Sequence, residues 1–553
     1  MENLLVLYIA SFSFFYLLGR ASVLCLEILF QKSYNYIFDL KIESFYIFFG
    51  IYISSQFLFV MNFFYGLNKI NLGFCFFIIL FINFFKIKKI KDYKYLLLNF
   101  SSASILFISF YDISLSKDSF LYHLSTQSWI YSEKIVFGIS NLNPYLGYVS
   151  VSEYLMTLLN IFNIKGSHIF NLLFIFFFFS LLISFVLSNI NFYKNLAFSI
   201  SIFGILDNFG FGGGRNGFIA LQEINKFDYT VSILLILFLI FFLYINFNKK
   251  TLSSSESLFL IVLLTFISQL RFFAILLFPL LIYQIIKFKG YRKNQIFPLL
   301  LLFVWLIKSF INTSCFIFPV YLTCFDSSWF FKDQAKYISY AVLDSYRDPN
   351  ISGINSINNT EWISKSFFQF NLYPIINFFI TLLLFFGLKK YLLKNVDSKN
   401  FKRNNLINIS SCIALLLFWF YYLPQYRFSS FFFIGIFLII NLDYFLTMNK
   451  GNIGLFIILI FISLALINNL NDYKNFFMNP FSVLSDNQQY TVGEYEKRDT
   501  YGYKPIGEVS KNVFCFEKRD CYSGNYSVNK KDLKFNYIAI IPIDSSFYSN
   551  LLD

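Results

Sequence analysis

Long apolar runs, broken by short polar or basic stretches, recur along most of the chain. A helix of about 20 apolar residues crosses a bilayer, and tilt accommodates other lengths. On that rule spans are predicted at 3–30, 45–66, 70–85, 95–111, 168–190, 195–209, 229–247, 257–270, 271–286, 296–312, 371–388, 407–424, 428–447 and 452–469. The expected fold is an all-α polytopic membrane protein with about fourteen transmembrane helices. The first run is too long for a signal-peptide core and lacks a small-residue cleavage site, so it reads as a retained span.

The polar interruptions divide the chain. N-terminal helices fill 1–111, an external loop with juxtamembrane helices follows at 112–167, and further helices occupy 168–312. A second external loop at 313–370 precedes the last helices at 371–469. The tail at 470–553 is polar, carries turn signals such as "NPFS" and "YSGN", and ends in the strand-like "FNYIAIIPI". It is expected to form a small extracytoplasmic α/β or β-rich domain. No internal repeat of solenoid type and no inverted pair of interrupted helices is visible.

Composition agrees with this pattern. Of 553 residues, 57% are hydrophobic and only 14% charged, which excludes an ordinary soluble domain. The 81 Phe accompany many Ile, Tyr, Asn and Lys, as an AT-rich genome would produce, so no aromatic cofactor box is read into them. A net charge of +14 does not point to nucleic acid, because the basic residues gather in short loops between apolar runs. The loops at 86–94, 287–293 and 389–403 are the richest, and the positive-inside rule makes all three cytoplasmic. Alternation from them puts the 112–167 loop, the 313–370 loop, Arg427 and the tail on the opposite, extracytoplasmic face. One long kinked helix through Arg271, in place of two spans, would reverse the assignments around it.

The seven cysteines fit the same topology. Cys25, Cys75 and Cys412 fall within apolar runs, where a small buried hydrophobe suffices. Cys315 with Cys324, and Cys515 with Cys521, form two close pairs on the predicted outer face, where disulfides are permitted. Neither pair has the spacing of a zinc or redox motif. "GFGGGRNG" contains a formal GxGxxG at Gly212, Gly214 and Gly217, but it lies between spans and not in a βαβ unit. Walker A, HExxH and EF-hand patterns are absent, and His123 and His168 are the only histidines. No metal ligands are assigned.

Candidate chemistry gathers in "SLSKDSFLYHLSTQSWIYSEK" at 114–134. An acid just beyond a span, Asp118, is followed one turn later by Tyr122 and His123, and a further acid stands at Glu133. A plainer account makes this an interfacial amphipathic helix with Trp129 and Tyr131 at the headgroups.

"DSFLYH" at 118–123, followed by "GISNLNPYLGY" at 138–148, resembles the first external loop of the GT-C superfamily of polytopic glycosyltransferases. The likeness is to bacterial members with a D-x-x-x-Y-H opening and an Asn, Pro and Gly continuation. "SCFIFPVYLTCFDSSWF" at 314–330 is similar to a Cys, Pro and Trp-containing external loop of that subgroup, and "LPQYRF" at 423–428 to its late Pro and Arg-Phe element. Where many members have Asp-Glu, this chain has Asp118 and Ser119, so the second acid is Glu133 or Glu153.

The resemblance implies a GT-C fold and transfer of a sugar from a polyprenyl-phosphate donor to a glycan, lipid or protein acceptor at the extracytoplasmic face. It implies Asp118 as the catalytic base, with Tyr122, His123 and Glu133 binding substrate. Chemistry leads the same way: nucleotide sugars are largely cytoplasmic, and the chain has no nucleotide fingerprint. Arg271 and Arg427, at the ends of apolar runs, suit a departing lipid phosphate, although such ends also carry simple interfacial anchors. The expected partners are the donor, its acceptor and membrane lipid. No cofactor is assigned, and a divalent metal stays open. A lipid-linked saccharide flippase and an oligosaccharide polymerase or ligase are the alternatives. A flippase needs ionisable residues deep in its spans, and runs such as "LLFIFFFFSLLISFVL" are bare of them.

Overall fold

The computed structural model of the chain describes residues 4–30, 36–68, 119–148, 150–160, 166–208, 228–248, 251–290, 295–330 and 332–347, parts of 363–439, and short stretches at 474, 495–497, 503–505 and 528–542. These residues are mostly helical. Two long apolar helices, α1 (Leu4–Phe30) and α2 (Tyr46–Asn62), are joined through a hairpin of β1 (Tyr36–Ile37) and β2 (Leu40–Lys41). Its turn residues Phe38 and Asp39 both take positive φ, the turn handedness that suits paired strands. Phe38 tolerates this because it is wholly buried, its ring stacked on Phe241 at 4.5 Å and its carbonyl accepting from the Tyr193 hydroxyl at 2.7 Å.

Glycine determines how closely α1 and α2 approach. A Cβ on Gly19 would lie 1.7 Å from the Tyr46 carbonyl oxygen, and one on Gly50 would lie 1.9 Å from that of Phe15. Residue numbers rise on one helix as they fall on the other, so the helices are antiparallel with their backbones in contact. Small residues permit such crossings between apolar helices.

The following helices are α3 (Leu124–Ser132), α4 (Ser152–Asn160), α5 (His168–Leu187), α6 (Asn191–Asn208), α7 (Asp228–Asn248), α8 (Ser254–Leu270), α9 (Phe278–Lys287), α10 (Ile296–Thr313) and α11 (Lys332–Arg347). The centre is α5, buried at every residue from 168 to 186 and packed against α2, α4, α6 and α7. A helix apolar on all sides belongs in such a position.

A capping box starts α8: Glu256 N donates to Ser253 Oγ at 3.2 Å, and Ser253 N to Glu256 Oε2 at 2.9 Å. Its end is Arg271, extended at φ −144° and ψ 114°, after which a 3-10 turn (Phe272–Leu277) leads into α9. Leu252 N then donates to the Phe288 carbonyl at 3.0 Å, so α9 returns to the start of α8. The two form a hairpin, not one long kinked helix, with Lys287 and Lys289 at one end and Arg271 at the other.

Beside the Arg271 end lies a layer of short elements. It comprises α3, α4, the 3-10 turns Ile139–Asn141 and Pro144–Tyr148, and the 314–330 segment, in which Cys315 and Cys324 form a disulfide. Among the described residues the strands form three small antiparallel pairs: β1 with β2, β3 (Tyr495–Lys497) with β4 (Tyr503–Pro505), and β5 (Val528–Asp532) with β6 (Ile538–Pro542). The last strand, β6, docks onto the layer through the backbone of Phe137.

The count of about fourteen spans is not supported. Among the described residues four helices are long and apolar enough to cross a membrane: Leu7–Cys25, Ile42–Asn62, His168–Leu187 and Ile296–Thr313. Shorter apolar helices lie at Thr230–Asn246, Ser254–Leu270 and Phe272–Lys287, the last two separated at Arg271. The runs expected at 70–85, 95–111 and 452–469, and most of 407–424, lie outside the described residues.

Candidate functional site

The polar cluster in this layer is built by two short helices. A π-helical turn over Ser119–His123 leads into α3, so His123 stands at its start with Gln127 one turn further along the same face. Opposite them, Glu153 lies in the first turn of α4, where the helix dipole favours a carboxylate. Two turns later α4 presents Asn160.

These residues form one chain of hydrogen bonds. His123 Nδ1 lies 2.5 Å from Glu153 Oε1, and Gln127 Nε2 donates to Glu153 Oε2 at 2.8 Å. Asn160 Nδ2 donates to Gln127 Oε1, while Ser167 N donates to Asn160 Oδ1 at 2.8 Å. His123, Gln127 and Glu153 are all at least 96% buried. An ionised carboxylate only accepts, so Glu153 fixes the proton on Nδ1 and hands the chemistry of the ring to Nε2. A buried charge held in this way keeps one imidazole orientation.

Aromatic rings extend from the cluster. Tyr122 lies against His123, with ring centroids 4.1 Å apart, and stacks on Tyr145 at 5.5 Å. Tyr145 in turn stacks on Tyr148 at 6.2 Å, and Tyr148 meets Phe318 edge-on at 5.2 Å. On the other side Tyr154 follows Glu153 on α4; burial, then the Glu153 charge, push its phenol well above the usual range.

Of the two acids proposed as a second carboxylate, Glu153 is the one against His123. Glu133 stands beyond the far end of α3, about 15 Å along the helix from His123. There its carbonyl accepts from Asn62 Nδ2 at 2.9 Å, which ties α3 to α2. Arg271 forms an ion pair with buried Asp228. Its segment nevertheless borders the cluster, because Val151 N, two residues before Glu153, donates to the Gln269 carbonyl at 3.1 Å. Asp118, Arg427, Cys515 and Cys521 lie outside the described residues, as does the glycine-rich stretch at 210–217. Among the described residues no group of three or more His, Cys, Asp and Glu side chains could hold a metal ion.

Sequence reasoning passed over Lys308. It sits in α10, is 3% exposed, and holds Nζ 5.7 Å from the Tyr154 ring centroid. A lone cation inside "IFPLLLLFVWLIKSFINT" was the available signal. The Asp228 partner of Arg271 was also missed, since nothing in a linear sequence joins residues on separate helices.

No curated protein and no solved structure matches the chain. Residues 1–434, which include every residue of the cluster, match a family described as a domain of unknown function (DUF8201), and the chain belongs to that family.

Proposed function

We propose that the protein is an integral membrane glycosyltransferase that takes a sugar from a polyprenyl-phosphate donor at the extracytoplasmic face. The observation that carries this reading is the buried His123–Glu153 pair, braced by Gln127, directly after the loop motif that begins at Asp118. The GT-C resemblance falls on that same loop. Among the described residues, four helices apolar enough for a bilayer support the membrane setting.

In the proposed reaction the Asp118 carboxylate takes the acceptor hydroxyl proton as the acceptor oxygen bonds to the anomeric carbon. The bond from that carbon to the phosphate oxygen breaks, and the lipid phosphate leaves with the electron pair. Glu153 keeps His123 in one tautomer and orientation, so Nε2 can accept a hydrogen bond from the acceptor hydroxyl. The acceptor is a glycan, lipid or protein hydroxyl. Transfer by one base of this kind is worth about a hundred- to ten-thousand-fold in rate.

The test uses the full chain in lipid nanodiscs with radiolabelled polyprenyl-phosphate sugars and membrane-extracted acceptors. Sugar transfer that falls at least a hundredfold in Asp118→Asn, with unchanged folding, is the expected result. Equal transfer by Asp118→Asn would remove the loop from the chemistry. Lys308 inside an apolar helix favours a second reading, a flippase for lipid-linked saccharide. Movement of a fluorescent lipid-linked saccharide across proteoliposomes, without transfer, would select it.

A further inference from the structure

Lys308 is placed where an ordinary anchoring lysine is not. It lies on α10 five residues before its end at Thr313, about 7.5 Å along the axis. From such a depth a lysine usually extends its stem outward and leaves its ammonium in water. Here the side chain runs inward, is almost wholly buried, and rests beside the Tyr154 ring. A buried ammonium is costly unless its three donors find acceptors.

The described neighbours supply charge and a π face but no hydrogen bond. Glu153 acts on Lys308 electrostatically, yet it engages His123 with Oε1 and Gln127 with Oε2. Tyr154 offers its ring. Among the described residues no hydrogen bond or ion pair reaches Lys308 Nζ. Arg271, by contrast, already has the Asp228 carboxylate.

Residues around Lys308 join α10 to the layer of short elements. Gly138 N donates to the Ile311 carbonyl at 3.0 Å, and Ser140 Oγ to the Asn312 carbonyl at 3.1 Å. The end of α10 is thereby fastened to the segment that follows α3. Lys308 therefore stands where an apolar helix meets the polar cluster, close enough to Glu153 for its charge to act on the lysine.

We propose that Lys308 binds the phosphate of an amphiphile whose hydrocarbon chain lies along the apolar helices. A phosphate oxygen supplies the hydrogen-bond acceptor that the described residues do not, and the lipid chain explains why the cation sits within an apolar helix. This assignment rests on the proposed reaction only in making that amphiphile the donor or its leaving group. It moves the phosphate contact from Arg271 to a residue on a different helix.

The experiment measures binding, independently of transfer. Full-length protein in nanodiscs is titrated with a radiolabelled polyprenyl monophosphate, with the corresponding polyprenyl alcohol, and with inorganic phosphate as competitor. Wild type is expected to bind the phosphate lipid at least tenfold more tightly than the alcohol. Lys308→Met should remove that preference, and Lys308→Arg should retain most of it. Lys308→Gln serves the same purpose if the Met variant folds poorly, with thermal stabilisation by the lipid as the second readout. Strong competition by inorganic phosphate would identify a free-phosphate site and overturn the lipid assignment. A phosphate preference undiminished in both variants, or no preference in wild type, would overturn it outright. Loss of preference in a protein that transfers no sugar would uphold the site and sink the glycosyltransferase reading. Transfer with an undiminished preference in Lys308→Met would do the reverse.

Discussion

Phe137 and Ala539, far apart in the chain, face each other in a parallel β-bridge. Phe137 N donates to the Ile538 carbonyl at 2.9 Å, and Ile540 N to the Phe137 carbonyl at 2.9 Å. The tail strand is thus part of the layer that holds the polar cluster, although it lies beyond the residues that match the family. Asn141 locks the arrangement, its Nδ2 donating to the Trp329 carbonyl at 2.7 Å and to the Ile540 carbonyl at 2.8 Å. Lys134 Nζ adds a bond to the Phe535 carbonyl at 2.8 Å, and the Tyr537 hydroxyl one to the Phe63 carbonyl at 2.6 Å.

Asn141→Ala removes one side chain that joins three segments. The lost bonds leave two carbonyls short of a donor in a region of low exposure, so the expected cost is about 1–3 kcal/mol. Limited proteolysis should then release the tail earlier than in wild type, and the melting temperature in detergent should fall. A tail that is cut at the wild-type rate would show that β6 is held by its backbone bonds alone.

Gly19 and Gly50 lie at one crossing, so their substitutions should not behave independently. Valine at either position forces α1 and α2 apart, with an expected loss of about 1–3 kcal/mol. Once one substitution has separated the helices, the second has less to displace. The double variant should therefore lose clearly less than the sum of the two single losses, as measured by thermal denaturation in detergent. Strict additivity would mean that the two glycines act at separate contacts.

Local features were readable from the residues alone. The unbroken apolar run of α5 and the strand character of 538–542 each announce themselves within a few positions. The pairing of His123 with Glu153 is different in kind. Thirty residues separate them, and only the packing of α3 on α4 decides that Glu153, and not Glu133, reaches the imidazole. Hydropathy also placed the break at Arg271, but it counted as spans two stretches, Ser254–Leu270 and Phe272–Lys287, that are shorter than the four described helices long enough to cross a membrane. The β6 docking was hidden for a further reason: a strand with exposed backbone groups has many potential partners, and sequence does not rank them.

The Cys315–Cys324 disulfide closes a nine-residue separation within the 314–330 segment. A covalent link over so short a loop is worth at most about 3 kcal/mol. Thr323 provides a second fastening, since its Oγ1 accepts from Ile317 N at 3.1 Å and donates to the Val320 carbonyl at 2.8 Å. Cys324→Ser should accordingly loosen the segment without unfolding the protein, seen as faster amide exchange confined to 315–330. In the unreduced native protein neither thiol should be alkylated. Ready alkylation of both would show that the sulfurs are not joined in the cell.

Glu153→Gln separates a positioning role from a structural one. The carboxylate offers acceptors to both His123 and Gln127, whereas an amide offers one oxygen and one NH2 group. Either His123 or Gln127 must then lose its acceptor, and His123 is no longer held in a single tautomer. Sugar transfer is expected to fall by about a hundredfold in kcat, with KM for the donor little changed. Adding Gln127→Glu to this variant restores a hydrogen bond between positions 127 and 153 but does not return a carboxylate to His123 at its original place. The double variant should recover thermal stability and remain slow. Glu133→Gln, at the opposite end of α3, should cost little in either measurement. Recovery of full transfer in the double variant would mean that Glu153 only holds α3 to α4 and takes no part in orienting His123.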